Sequence, residues 1–290
     1  MNIVEIDRKV KLNRKTFHPP MQWNTDGEVP FLVFPAWEQL PKLCHGFTTR
    51  LGGVSEGIFS SLNLSFQRGD KKEHVEENFR RLAGSIGTTP DRFVASDQTH
   101  TANLRIVTKT DAGKGIVRAK DYSDVDGLIT NETDLVLFLS FADCVPVYFY
   151  DPVHNVIALS HSGWKGTVQE IGKRTVWLME HKFQSRPGDI LAAIGPSICR
   201  DCYEVSSDVA DRFSSLFPAE QDQILIPKGK GKYQLDLWKA NEYILLSAGI
   251  KKEHLTITDL CTCCNKELLF SHRGSCGKRG NLGAFLLLRP

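Results

Sequence analysis

The stretch Leu135-Val-Leu-Phe-Leu-Ser-Phe-Ala-Asp-Cys-Val-Pro-Val-Tyr-Phe-Tyr150 decides the fold. Residues 135–142 form a dense apolar run of strand length, and such a run belongs in the middle of a sheet covered on both faces. Residues 145–150 begin a second apolar strand, residues 151–154 read as a turn, and residues 156–160 return as a third. The first run delivers Asp143 and Cys144 at its end, and the third delivers His161 in Ser160-His-Ser-Gly-Trp-Lys-Gly166. Two buried strands joined by a tight turn place Cys144 and His161 near one sheet edge.

A third candidate ligand, His100, lies upstream in Ser96-Asp-Gln-Thr-His100, just before the strand pattern of residues 104–108. One thiolate and two imidazoles make a three-ligand zinc site with one position left for water or substrate, the arrangement of a catalytic rather than a closed structural metal. Asp143, beside the thiol, is placed to orient a ligand or move a proton. Two other accounts use the same residues. Cys144 serves as the nucleophile of a cysteine hydrolase with His100 or His161 as base, or the cluster holds the surface of a non-enzymatic, metal-dependent interaction module.

Further outward, His45-Gly-Phe-Thr-Thr-Arg-Leu-Gly-Gly-Val54 runs from a strand end into a glycine turn, and Arg50 offers a guanidinium fork suited to phosphate. Lys165, at the start of a helix expected over residues 167–183, is a second anion candidate. Residues 31–34 and 59–64 read as short strands, residues 1–12 as an early strand, and residues 16–30 as irregular. Residues 71–82 carry Val75, Phe79 and Leu82 at helical spacing. Asp124 and Asp126 flank Val125 in a loop and read as an exposed turn. Cys199 and Cys202 form a lone C-x-x-C, too little for a redox assignment. Cys261-Thr-Cys-Cys264 lacks the clean paired framework of a zinc ribbon and reads as packing or one local disulfide, with a second structural metal as the competing account.

The 290-residue chain is 41% hydrophobic and 24% charged with a formal net charge of +2, which makes no general case for nucleic acid and leaves room for a local anion pocket. Neither a transmembrane stretch nor a signal-peptide pattern is evident, so the expected location is the cytoplasm. The eight cysteines are too few and too unevenly grouped for a disulfide scaffold. With no repeat or long linker, residues 1–290 are expected to form a single globular catalytic domain, with residues 1–42 as an extension packed onto it.

Taken in order, Phe47-Thr-Thr-Arg-Leu-Gly-Gly-Val-Ser55, Ser61-Leu-Asn-Leu64, Gln98-Thr-His100, Ala142-Asp-Cys-Val-Pro146, His161-Ser-Gly-Trp-Lys-Gly166, Ile194-Gly-Pro-Ser-Ile198, Cys202-Tyr-Glu-Val205, Asp259-Leu-Cys-Thr-Cys263 and Phe270-Ser-His-Arg273 resemble the multifunctional purine nucleoside phosphorylases once described as polyphenol oxidases or laccases, and bacterial members most. The resemblance implies an α/β or α+β four-layer sandwich of mixed sheets flanked by helices, with His100, Cys144 and His161 holding a catalytic Zn2+. It implies phosphorolysis of adenosine, inosine or guanosine and of methylthioadenosine, together with adenosine deamination, with purine nucleosides and phosphate as partners; a monomer is the expected state. Copper enters only through the family's earlier oxidase description, since this cluster lacks the many histidines of cooperating coppers. Asn63 and Tyr203 are further substrate-contact candidates on placement and resemblance. Gly274-Ser275 and His272 depart from the family's late segment, where an acidic ending and an aromatic residue are usual.

Overall fold

The computed structural model describes residues 12–16 and 20–290. The early strand expected over residues 1–12 therefore lies almost wholly outside the described residues.

The first sheet joins Gln22–Asn24 (β1), Phe31–Val33 (β2), Leu43–Thr48 (β3), Phe93–Ala95 (β4), Val136–Phe141 (β7) and Leu282–Leu288 (β15) in the order β1-β2-β3-β15-β7-β4. A second sheet joins Leu104–Ile106 (β5), Gly127–Thr130 (β6), Val145–Asp151 (β8), Val156–Ser162 (β9), Leu191–Ile194 (β10) and Leu255–Ile257 (β14) in the order β14-β10-β8-β9-β6-β5. Glu204–Ser206 (β11), Leu225–Gly229 (β12) and Lys232–Leu235 (β13) make a small antiparallel sheet. Helices are Pro35–Glu38 (α1), Lys72–Ser85 (α2), Trp164–Val168 (α3), Ile171–Phe183 (α4), Ser207–Leu216 (α5), Gln221–Ile224 (α6) and Leu237–Ser247 (α7).

Strand periodicity explains why the central run is apolar throughout. Alternate residues of β7 face opposite ways. Leu137, Leu139 and Phe141 pack between the two sheets with Tyr148, Ile157 and Leu159, whereas Val136 and Phe138 pack against Val75, Phe79 and Leu82 of α2. On the far side, Val145, Val147 and Phe149 of β8 meet Val176 and Met179 of α4, Ala240 and Ile244 of α7, and Phe213 of α5. Helix, sheet, sheet and helix thus form the expected four layers.

Three local expectations are corrected. Residues 59–64 are not a strand: a short 3-10 turn at Gly57–Phe59 precedes irregular chain in which Leu62 and Leu64 are nevertheless buried. Residues 16–30 are not wholly irregular, because β1 adds to the first sheet. The helix expected over residues 167–183 is two helices, α3 and α4, broken where Glu170 takes a left-handed φ of 56°.

Candidate metal centre and substrate cavity

The link from β7 to β8 carries the chain from the first sheet to the second within three residues, with Asp143 in the left-handed region at φ 91°. Cys144 then stands immediately before β8. In the β8–β9 hairpin Val145 pairs with Ser162 and Pro146 with His161, so the register itself sets Cys144 next to His161. Both strands are internal to the sheet, so the pair lies at the strand ends and not at a lateral edge. His100, also left-handed at φ 66°, arrives on the loop after β4. One donor atom from each of His100, Cys144 and His161 lies within 4.8 Å of the others, and the two imidazoles meet edge to face at 4.9 Å. A Cβ at Gly163 would come within 2.9 Å of Cys144 Sγ and 3.4 Å of His100 Cδ2, so glycine there leaves the donors their room.

Asp126 organises this cluster. It is fully buried at the start of β6, and its Oδ1 accepts from His161 Nδ1 at 2.7 Å and from the His100 backbone N–H at 3.1 Å. Its Oδ2 accepts from the Thr99 and Thr101 N–H groups, both at 3.0 Å. With Nδ1 donating to the carboxylate, His161 turns Nε2 to the Cys144 side, where a metal would take the place of the imidazolium proton, which is the usual way a carboxylate sets a ligating imidazole. Asp124, by contrast, ties the loop together through Thr99, Thr101 and Asn103. Reading both acids as an exposed turn therefore fails for Asp126. Its signal was present in the sequence: an acid directly before the buried strand Gly127–Thr130.

The electrostatics are those of a thiolate–imidazolium pair. Burial pushes the Cys144 thiol up, but the His161 charge and hydrogen bonds from His100 and His161 outweigh it and hold it down at about 6. Burial likewise disfavours charge on His161, and the Cys144 thiolate together with Asp126 overrides it, raising His161 to about 9. Asp126 is lowered to about 2, its burial outweighed by His161 and by the Thr101 and Thr99 N–H groups. An available thiolate, an imidazole with a fixed tautomer and a second imidazole fit a single soft or borderline divalent metal.

These donors open into a cavity of about 570 Å³, within the usual range for a small-molecule site. Asp143 and Tyr203 also line it. Asp143 Oδ1 accepts from the Thr262 hydroxyl at 2.6 Å and its Oδ2 from the Arg273 N–H at 2.6 Å. The Arg273 guanidinium lies 5.4 Å from the Tyr203 ring centre.

Three other candidates do not reach the cavity wall. Arg50 donates to the carbonyls of Ser60 at 2.7 Å and Lys266 at 2.9 Å, and its guanidinium covers the Phe270 ring. Fully buried Asn63 braces the loop by donating to Ser65 O and Asp70 while accepting from Asn281 N–H. Lys165 is exposed beside the Trp164 ring, and α3 is only five residues long. The cavity's cations are instead Arg68, Lys120, Arg273 and Arg279, with His272 between them. Arg279 is lowered to about 10, first by burial and then by the neighbouring Arg68 charge, and its Nε is buried without a hydrogen-bond partner. Loop arginines have no periodicity to announce them.

Residues 44–289 match the family model described as multi-copper polyphenol oxidoreductase laccase. The purine nucleoside phosphorylase YlmD of Bacillus subtilis is 41% identical over 245 residues, 83% of this chain and 87% of that protein. A purine nucleoside phosphorylase of Bacteroides thetaiotaomicron is 35% identical over 244 residues, 83% of this chain and 90% of that protein. Among solved structures, YlmD from Geobacillus stearothermophilus superposes with a TM-score of 0.87 at 36% identity, covering 94% of this chain and all of that one. The shared sandwich and the match from β3 to β15 lead to one conclusion: the chain belongs to the laccase-like polyphenol oxidoreductase family, whose bacterial relatives include proteins named purine nucleoside phosphorylases.

Proposed function

We propose that this chain is a zinc-dependent purine nucleoside phosphorylase, converting adenosine, inosine or guanosine and phosphate to the free purine and ribose 1-phosphate. The observation that carries this reading is the shared cavity: the donors His100, Cys144 and His161 face the same space as Arg68, Arg273 and Arg279. His100, Cys144 and His161 would hold the zinc, which would supply Lewis-acid chemistry at this wall. Arg68 and Arg279 take the phosphate role in place of Arg50 and Lys165, because both line the cavity and the buried Arg279 Nε has no hydrogen-bond partner, a donor that an oxyanion would satisfy. Tyr203 supplies an aromatic surface for the purine. Asp143, with one hydrogen bond on each oxygen, retains a lone pair on each for a proton that moves with the leaving base. Phosphate held by the arginines attacks the anomeric carbon as the bond to purine nitrogen breaks.

Methylthioadenosine phosphorolysis and adenosine deamination belong to the same reading. They share the purine seat and differ in which substrate atom faces the donors. The test is phosphate-dependent release of purine and ribose 1-phosphate by the wild type and by Cys144→Ala. Full turnover in metal-stripped protein sinks the zinc role, and turnover indifferent to phosphate redirects the assignment to deamination or hydrolysis. Sustained oxygen uptake with phenols would instead revive a copper oxidase.

The lowered Cys144 thiol favours one second reading, a cysteine hydrolase with His161 as the base. Trapping of an acyl group on Cys144 in protein that binds no metal would establish it.

A further inference from the structure

Of the seven cysteines outside the cavity, four gather in one place. Cys199 precedes and Cys202 ends a 3-10 turn after β10, and Cys261 and Cys264 lie in the loop after β14. Read in space, the crowded run Cys261-Thr-Cys-Cys264 contains the second C-x-x-C that the sequence seemed to lack. β10 and β14 are parallel neighbours, with Ala192 opposite Leu255 and Ile194 opposite Ile257. A parallel bridge from Ser197 to Cys261 continues that pairing into the loops. Two like knuckles thus leave adjacent strands in the same direction and meet, each cysteine facing one 62 residues away.

We propose that Cys199, Cys202, Cys261 and Cys264 form a second, closed zinc site, separate from the cavity, that fixes the cavity's Asp143 wall. All four Sγ atoms lie within 4.8 Å of one another, and the Cys202–Cys264 separation is 3.5 Å. A tetrahedral zinc with bonds of about 2.3 Å sets its sulfurs about 3.8 Å apart. A disulfide would draw two of them to about 2.05 Å. The backbone donates to sulfur as it does around thiolates: Cys199 N–H and Cys264 N–H both point to Cys261 Sγ, at 3.2 and 3.4 Å. Lys15, held to Asp201 at 3.1 Å, adds a positive charge beside Cys199 and Cys264. Four thiolates with no carboxylate or imidazole among them select zinc over magnesium or calcium. They also leave no position for substrate.

The site's task follows from its neighbours. Thr262, between two of the ligands, gives its hydroxyl to Asp143 Oδ1 at 2.6 Å. Ile198, beside Cys199, donates its N–H to the Asp143 carbonyl at 2.9 Å. A metal joining the two knuckles therefore ties two of the three attachments of Asp143 to one rigid point, the third being the Arg273 N–H.

Zinc content by plasma mass spectrometry tests the site directly. Wild type is expected to carry two zinc ions per chain, Cys144→Ala one, and the Cys202→Ser/Cys264→Ser pair one. In cobalt-grown Cys144→Ala protein, the intense thiolate-to-cobalt absorption of a four-sulfur site should persist, and adding the serine pair should abolish it. Should the serine pair not fold, iodoacetamide mapping of native wild type decides: the four cysteines resist alkylation until a chelator is added, while exposed Cys276 reacts throughout. Alkylation indifferent to the chelator, Cys144→Ala protein without zinc, a mass deficit of two hydrogens per disulfide, or iron in place of zinc would each overturn the proposal.

Discussion

Two sulfur-containing clusters sit at the same end of the second sheet. The start of β8 and the ends of β9, β10 and β14 all lie there, because β8 runs antiparallel to β9 and β10, and β14 runs parallel to β10. One cluster mixes a thiolate with two imidazoles, one of them exposed, and opens on a cavity; the other gathers four thiols against the packed helices. The same strand ends thus offer two chemistries. An incomplete, mixed set leaves a metal face free for substrate, whereas a complete set of one kind can only hold loops together.

The largest effect expected is at the open cluster. Cys144→Ala should lower kcat/KM by about 10³-fold, since a Lewis acid contributes several kcal/mol to the transition state and each 1.36 kcal/mol is tenfold. Its thermal midpoint should stay close to wild type. A steady-state assay beside a melting curve measures both, and a collapsed midpoint with little change in turnover would reverse the roles of the two clusters. Asp126→Asn comes next. It keeps the shape but weakens the hold on His161, and metal affinity or activity should fall about 10- to 100-fold. Equilibrium dialysis against a zinc buffer checks the affinity, and unchanged affinity would reduce Asp126 to a loop brace.

The open cluster was legible because each of its ligands stands where an apolar run stops, at positions 144 and 161, or just ahead of one, at position 100. The sandwich was legible for the same reason: runs apolar on both faces require two covered sheets. Asp126 was misread because an acid pair around one valine looks like any turn until the hairpin partner is known. The four-cysteine cluster could not be assembled from the sequence because its two knuckles become neighbours only through the parallel pairing of β10 with β14, a long-range contact that local spacing does not encode. Arg68 and Arg279 lie on loops and meet only across the cavity.

Thr262→Val probes the join between the clusters. It removes one hydrogen bond to a carboxylate, worth about 1.5 kcal/mol. We expect kcat to fall by about tenfold or less, with both metals retained. If zinc is lost from the four-cysteine cluster as well, Thr262 supports the knuckle more than Asp143. If kcat is untouched, the two clusters act independently.

The smallest effect involves a third imidazole, His45, which has neither a metal nor a bonded carboxylate. It is 1% exposed between Phe34 and Trp37, its Nε2 accepts the Phe34 N–H at 2.8 Å, and the Glu38 carboxylate stays 3.7 Å from Nδ1. Burial drives it down from 6.5 to about 3, the opposite direction to His161. The unfolded chain therefore takes up a proton that the folded protein refuses over that interval, so His45's contribution is whole above pH 6.5 and is lost as the pH falls. The loss amounts to about 1.4 kcal/mol per pH unit. Urea denaturation of wild type and His45→Gln at about pH 7.5 and about pH 5.5 isolates it, because the glutamine retains an acceptor for Phe34 but does not titrate. The stability difference between the proteins should shift toward the variant by about 1.4 kcal/mol at the lower pH. Parallel pH profiles would mean that His45 gains a proton in the folded state, with Glu38 closing in as its partner.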